Sequence, residues 1–246
     1  MNPRTTRTAL AAVLLAAALA GCSSAGEKGR TTADGEKDKG GPGTARAVLA
    51  ELPVKKAASK SGYDREAKFG PAWSDSTSAP GSGNSCDTRN DILARDLTDK
   101  QFKSGSKCVI DAGTLADPYT GGKIRFERGR KTSSAVQIDH IVALSNAWQT
   151  GAQKLPQARR EALANDPLNL VSADGPANMG KGDKDASAWL PANKGFRCTY
   201  VARQVAVKKA YGLWVTQEER DAIGKVLEGC PGEALPGGDA KGVALR

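Results

Sequence analysis

The chain's apolar and polar positions change period several times, and each change marks an element. Around the middle, Gln137-Ile138-Asp139-His140-Ile141 reads as a strand, entered after Ser133-Ser134. Upstream, Lys123-Ile124-Arg125-Phe126-Glu127-Arg128 alternates cleanly, with Ile124 and Phe126 on one face and Arg125 and Glu127 on the other. Residues 107–115 alternate more loosely, and Asp117-Pro118-Tyr119-Thr120-Gly121-Gly122 between the two is turn sequence. This predicts an N-terminal β-hairpin. Helical spacing appears from Asp87, with Ile92, Leu93 and Leu97 on one side and Asp87 as cap, and again over 45–52, where Pro53 limits it. Residues 63–73 hold Gly, Pro and aromatics without a period and predict a loop packed on the domain; 75–84 are rich in turn residues. Beyond the centre, 144–152 predict a helix with Trp148 on its apolar side, and 157–164 a second one. A short strand follows over 165–171, with Asn169 inside it, and another helix starts at Ala177. Near the end, 196–211 and a helix opened by Thr216-Gln217-Glu218-Glu219 predict a pair of helices lying as a lid over the central unit. The fold class expected is α+β.

The ends read differently. Arg4 and Arg7 precede an apolar run over 9–20, too short for a comfortable membrane span of about twenty residues and suited to a secretory h-region. It ends in Leu19-Ala20-Gly21-Cys22, which resembles the lipobox of bacterial lipoproteins and would make Cys22 the lipidated residue; an ordinary signal peptide with a chance Cys is the alternative. Residues 23–44 are polar and Gly-rich, too poor in apolar surface to offset chain entropy, and predict a disordered tether. Residues 231–246 predict a flexible tail. The expected layout is therefore 1–22 signal peptide, 23–44 tether, 45–230 folded domain and 231–246 tail. A monomer is expected, exported, and held on the outer face of a bacterial membrane through the lipid anchor only, or released.

With Cys22 set aside, Cys86, Cys108, Cys198 and Cys230 remain. An even count in an exported domain points to two disulfides. Three pairings are open, and the shorter loops favour Cys86–Cys108 and Cys198–Cys230. No C-x-x-C pair is present, which argues against a zinc site. The formal net charge of +9 favours a polyanionic partner: nucleic acid, anionic lipid or acidic wall polymer.

His140 is the only histidine in the chain, directly after an acid, and is the first candidate for proton transfer near neutral pH. Asp139-His140, then Asn169-Leu170, then Asn178 with Lys181 three residues on: this order resembles the HNH nuclease motif. The wider run, from Cys86-Asp87-Thr88-Arg89 through Ile138-Asp139-His140 to Ala186-Ser187-Ala188-Trp189-Leu190-Pro191, is similar to the secreted branch of that family. That branch is in turn similar to the nuclease domain ending modification-dependent (type IV) restriction enzymes. The likeness covers about residues 63–230. It implies a ββα-metal (His-Me finger) core with one divalent metal. Asp139 and Asn178 match the metal ligands, His140 the general base, and Asn169 the residue that supports the strand. Arg89 and Asp91 recur in that branch without a role. The chain departs from the pattern in its final Asn, its long insert between His140 and Asn169, and its lack of zinc-binding Cys pairs.

The chemistry follows from the residues as well. A neutral His can take a proton from water, and a metal can polarise a phosphoryl oxygen. The carboxylate of Asp139 and the amide oxygen of Asn178 are hard donors that suit Mg²⁺, with Mn²⁺ as the alternative. Lys181, one helical turn from Asn178, is placed to touch phosphate. Asp183 and Asp185 are rival ligands for closing the metal shell. Adjacent strand residues point to opposite faces, so Asp139 and His140 converge only if the strand ends or twists there. The reading is an exported endonuclease acting on DNA, or RNA, with little sequence preference, since no recognition helix or zinc finger is visible. The rival is a non-catalytic surface lipoprotein binding anionic wall polymer or nucleic acid. No immunity or inhibitor protein can be named from the sequence.

Overall fold

The computed structural model describes residues 41 and 43–236. The signal segment with Cys22, most of the tether and the end of the tail lie outside the described residues. The elements run α1 (Ala45–Glu51), α2 (Arg65–Phe69), α3 (Thr88–Asp96), β1 (Leu97–Phe102), β2 (Ile110–Ala116), β3 (Lys123–Glu127), β4 (Val136–His140), α4 (Leu144–Gln149), α5 (Gln157–Asn165), β5 (Leu170–Asp174), α6 (Gly175–Lys181), α7 (Arg197–Tyr211) and α8 (Gln217–Glu228). The fold is mixed α+β.

Two sheets form. β1, β2 and β3 make an antiparallel three-stranded sheet, and β4 and β5 an antiparallel pair. The expected hairpin is β2–β3, with Leu115 opposite Ile124 and Gly113 opposite Phe126. β1 is an addition. It is an edge strand with Leu97 its only buried residue, and its register breaks between Thr98 and Gln101, so its sequence carries no alternation to detect. α2 is a short turn of helix inside the expected loop, opened by the Asp64 carboxylate accepting from the Ala67 N–H at 2.7 Å.

The central unit is β4, β5 and α6. Alternation along β4 divides its residues: Val136 and Ile138 join Ile92, Ile110, Phe126 and Leu170 in one apolar cluster, while Gln137 and Asp139 face α6. β5 begins at Leu170 rather than within 165–169. There, Asp166 accepts from the Leu168 and Asn169 N–H groups and makes a turn. α6 begins at Gly175, earlier than Ala177, because Pro176 fits the first turn of a helix and Asp174 caps it by accepting from the Ala177 N–H at 2.8 Å. β5 thus runs straight into α6 without a loop.

α7 is not a lid. Residues 200–208 are all buried, and the helix lies through the core beside Ile141, Val171 and Val215. Two of its basic residues, Arg203 and Lys208, cannot steer DNA, because they are inside; Lys209 is exposed and paired with Glu51 at 2.7 Å. Arg203 donates to the carbonyls of Pro167, Leu168 and Leu170, and Lys208 to Glu219 at 2.8 Å and the Trp214 carbonyl at 3.0 Å. Both expected disulfides are present, Cys86–Cys108 and Cys198–Cys230, with Cα separations of 5.3 and 6.4 Å. The folded unit extends past its expected ends: Ala45 N–H donates to Glu233 O and Leu235 N–H to Gly43 O. Among the described residues no helix is long and apolar enough to cross a membrane.

One contact sets the junction of β5 and α6. A Cβ on Gly175 would lie 2.1 Å from the Ser134 carbonyl oxygen, just before β4. Backbone cannot yield as a side-chain tip does. Gly175→Ala is therefore expected to cost at least about 1–3 kcal/mol. The measurement is a urea melt; an unchanged midpoint would mean that the close approach is not required.

Candidate active site

α6 meets β4 in two rungs. The Asn178 Nδ2 donates to Gln137 Oε1 at 2.8 Å, and the Lys181 Nζ donates to Asp139 Oδ1 at 3.0 Å. Residues two apart on a strand and three apart on a helix each share a face, so the pairs stack. Lys181 also donates to the His140 carbonyl at 2.8 Å and is fully buried. It holds the strand rather than facing outward toward phosphate. Tyr119, in the turn between β2 and β3, donates to Asp139 Oδ2 at 2.5 Å. Burial pushes the Asp139 carboxyl above the usual carboxylate range, against the pull of Lys181 and Tyr119. Burial, then the Asp139 charge, pushes the Tyr119 hydroxyl well up.

β4 ends at His140, and there Asp139 and His140 line one cavity. His140 Nε2 lies 2.9 Å from the Ala164 carbonyl, which can only accept. Nε2 therefore carries the proton. The ring is neutral, because burial, and next the positive charge of Arg65, lowers its pKa to about 3. Nδ1 keeps its lone pair and, among the described residues, has no hydrogen-bond partner. Trp73 stacks on the ring, with centroids 5.9 Å apart and planes 11° apart. Trp73 has φ of +63°, a conformation uncommon for a bulky residue, and its carbonyl is held by the Thr88 N–H.

Asn169 does not reach the cavity. Its Oδ1 accepts from the Val142 N–H at 2.8 Å, its Nδ2 donates to the Val142 and Leu163 carbonyls at 3.3 Å, and its own carbonyl accepts from the Ile141 N–H at 2.7 Å. The amide side chain imitates a strand rung and carries the pairing beyond His140. Arg95 and Arg203 fix the turn before β5 by donating to the Pro167 and Leu170 carbonyls. Arg89 donates to the Val136 carbonyl, and Asp91 accepts from Asn84; neither lines the cavity.

The cavity measures about 290 Å³ and is lined by Arg65, Gln137, Asp139, His140, Asn178 and Asp183, among others. A slightly larger cavity of about 360 Å³, beside Arg95, Asp96 and Arg203, holds no histidine. The donor types of the first fit a hard divalent cation: Asp139 and Asn178 line the same space, and among the described residues the Asn178 Oδ1 takes no hydrogen bond. Such an ion would share Asp139 with Lys181. Asp183 also lines the cavity but is paired with Lys60 at 2.7 Å and Ser145 at 3.0 Å. Asp185 turns away to Ser187. The Cys198, Cys230 and Glu233 group is no rival, since its two sulfurs form a disulfide.

Tyr119, Trp73 and Arg65 are site residues that the chain's spacing did not reveal. Each arrives from a distant segment and belongs to no local period.

Residues 87–226, more than half of the chain, match the family described as GmrSD restriction endonucleases, C-terminal domain. The chain is also 34% identical over 189 residues to an uncharacterized secreted protein of Arthroderma benhamiae, covering 76% of this chain and 85% of that protein. No solved structure matches. The chain belongs to the family of the C-terminal domain of GmrSD restriction endonucleases.

Proposed function

We propose that the protein is an exported, metal-dependent endonuclease of the HNH type, with β4, β5 and α6 as a ββα-metal (His-Me finger) core, hydrolysing phosphodiester bonds of DNA, or RNA, with low sequence specificity. The observation that carries this is the neutral His140, its Nε2 proton fixed on Ala164 and its Nδ1 unpartnered, beside Asp139 and Asn178. Family membership supports nuclease chemistry, and two disulfides and a secreted relative support export. Anchoring through Cys22 is part of the same proposal.

His140 acts as general base. Its Nδ1 takes the proton of the attacking water, and the Ala164 carbonyl stabilises the imidazolium that forms through the Nε2–H bond. Asp139 and Asn178 are the residues to hold the ion. The chemistry supplied by a bound divalent ion is polarisation of the phosphoryl oxygen and stabilisation of the leaving oxygen. Lys181 and Tyr119 position Asp139. Asn169 and Lys181 position His140 through its backbone, so both are positioning residues.

His140→Ala is expected to lower plasmid nicking in Mg²⁺ by about 10²–10⁴-fold. EDTA should stop nicking by the intact protein, and added Mg²⁺ should restore it. Absence of nicking by the intact protein would leave a binding module instead of an enzyme. A second test concerns pH. The imidazole titrates near 3 when folded and near 6.5 when unfolded. Between those values the unfolded chain binds more protons, so stability rises with pH and is lost as pH falls from about 6.5 toward about 3. Urea midpoints from pH 7 to 4 should fall, and His140→Gln should flatten that fall; an unaltered slope would contradict a buried neutral ring.

A further inference from the structure

The ionised groups around the cavity are neutralised in pairs, with one exception. Asp139 is paired with Lys181, and Asp183 with Lys60. His140 is neutral. Arg65 lines the same cavity, and among the described residues its guanidinium makes no hydrogen bond and no salt bridge. The guanidinium lies over the Trp73 ring, 6.0 Å from carbon to centroid, and its charge acts on His140 and Tyr63. Trp73 is also the ring stacked on His140. The uncompensated charge at the site is thus one cation, held by the aromatic that also holds the base.

The segment that brings Arg65 there is firmly placed. Phe69, at the end of α2, is 1% exposed in a cluster with Trp148 and Leu163. Arg160 on α5 donates to the Lys68 carbonyl at 2.7 Å. Gly70, at φ +73°, then turns the chain toward Trp73; a Cβ there would lie 2.8 Å from Glu161. Arg65 itself remains exposed. A planar, exposed guanidinium without a carboxylate, fixed at the mouth of a site for phosphodiesters, matches the fork geometry of a phosphate.

We propose that Arg65 is a phosphate-binding residue of this active site, its guanidinium engaging the non-bridging oxygens of the scissile phosphodiester beside His140. This rests on the nuclease reading above. Arg65 lies outside residues 87–226, so the segment before the family domain completes the site.

The test uses the purified full chain, with Arg65→Gln and Arg65→Lys, in two assays. In single-turnover cleavage of a duplex with Mg²⁺, Arg65→Gln should slow the reaction by about 10²–10³-fold, with Arg65→Lys between it and the native protein. In duplex binding by the His140→Ala protein, adding Arg65→Gln should reduce the slope of log affinity against log salt by about 0.9, one phosphate contact. Cleavage by Arg65→Gln at the native rate overturns the proposal. So does slower cleavage with an unchanged salt slope, which would mean that Arg65 only packs on Trp73. Absence of cleavage by the native protein refutes the nuclease reading itself, and the phosphate role with it.

Discussion

An ammonium closed off from water must be neutralised and hydrogen-bonded where it lies, and Lys181 is in that position with no exposed surface. Its partners are consecutive: the Asp139 carboxylate and the His140 carbonyl. The last residue of α6 therefore fastens the last two residues of β4, and both of these line the cavity. Tyr119 takes the other oxygen of Asp139 and ties in the β2–β3 turn. The Tyr119 ring is itself wedged between Trp189, Phe196 and Tyr200, at 5.0, 6.2 and 5.8 Å. Breaking such a buried pair costs about 3–5 kcal/mol, well above a typical surface pair, so the strand end is among the most firmly held places in the fold.

Local signals carried much of this. Asp87 and Thr216 cap their helices as their positions predict, the β2–β3 hairpin alternates as expected, and the Cys pairing follows loop length. Asp139-His140, Asn169 and Asn178 are legible as one group because they lie on or beside sequential elements. Lys181 shows where such reading stops. Its spacing from Asn178 is right for a shared helix face, but that face turns inward onto β4, and only packing decides between phosphate and Asp139. The same holds for Arg203 and Lys208, whose charges suggest a solvent face until the core closes over them. Tyr119 and Trp73 reach the site from 20 and 67 residues before Asp139 and His140 by tertiary folding alone, and no period announces them.

Asn169 illustrates a subtler division. Its residue type was legible, but its work is structural: an amide doing the job of a peptide group where β4 and β5 no longer pair. With Ile141 and Val142 bonded to Asn169, the chain after His140 has one course. Two arginines from other elements, Arg95 on α3 and Arg203 on α7, grip carbonyls on either side of the same residue. A buried cation and a partly buried one at that point hold a loop whose backbone oxygens would otherwise lack donors.

The long insert between His140 and Asn169 is where the chain departs most from a compact ββα unit, and it has two consequences for the site. Its helix α5 ends beside β4, so the Ala164 carbonyl faces His140 and selects the Nε2–H tautomer. A shorter connection would leave that proton without a protein acceptor and the free nitrogen undefined. The insert also forms the surface on which the earlier segment docks. Gln149 accepts from Ala58, Trp148 donates to the Ser61 carbonyl and meets Tyr63, and Arg160 holds Lys68. That docking carries Arg65 and Trp73 to the cavity. One insertion thus orients the His140 ring from inside and brings a cation from outside, which is why two residues beside that ring, Arg65 and Trp73, come from beyond the segment that matches the family.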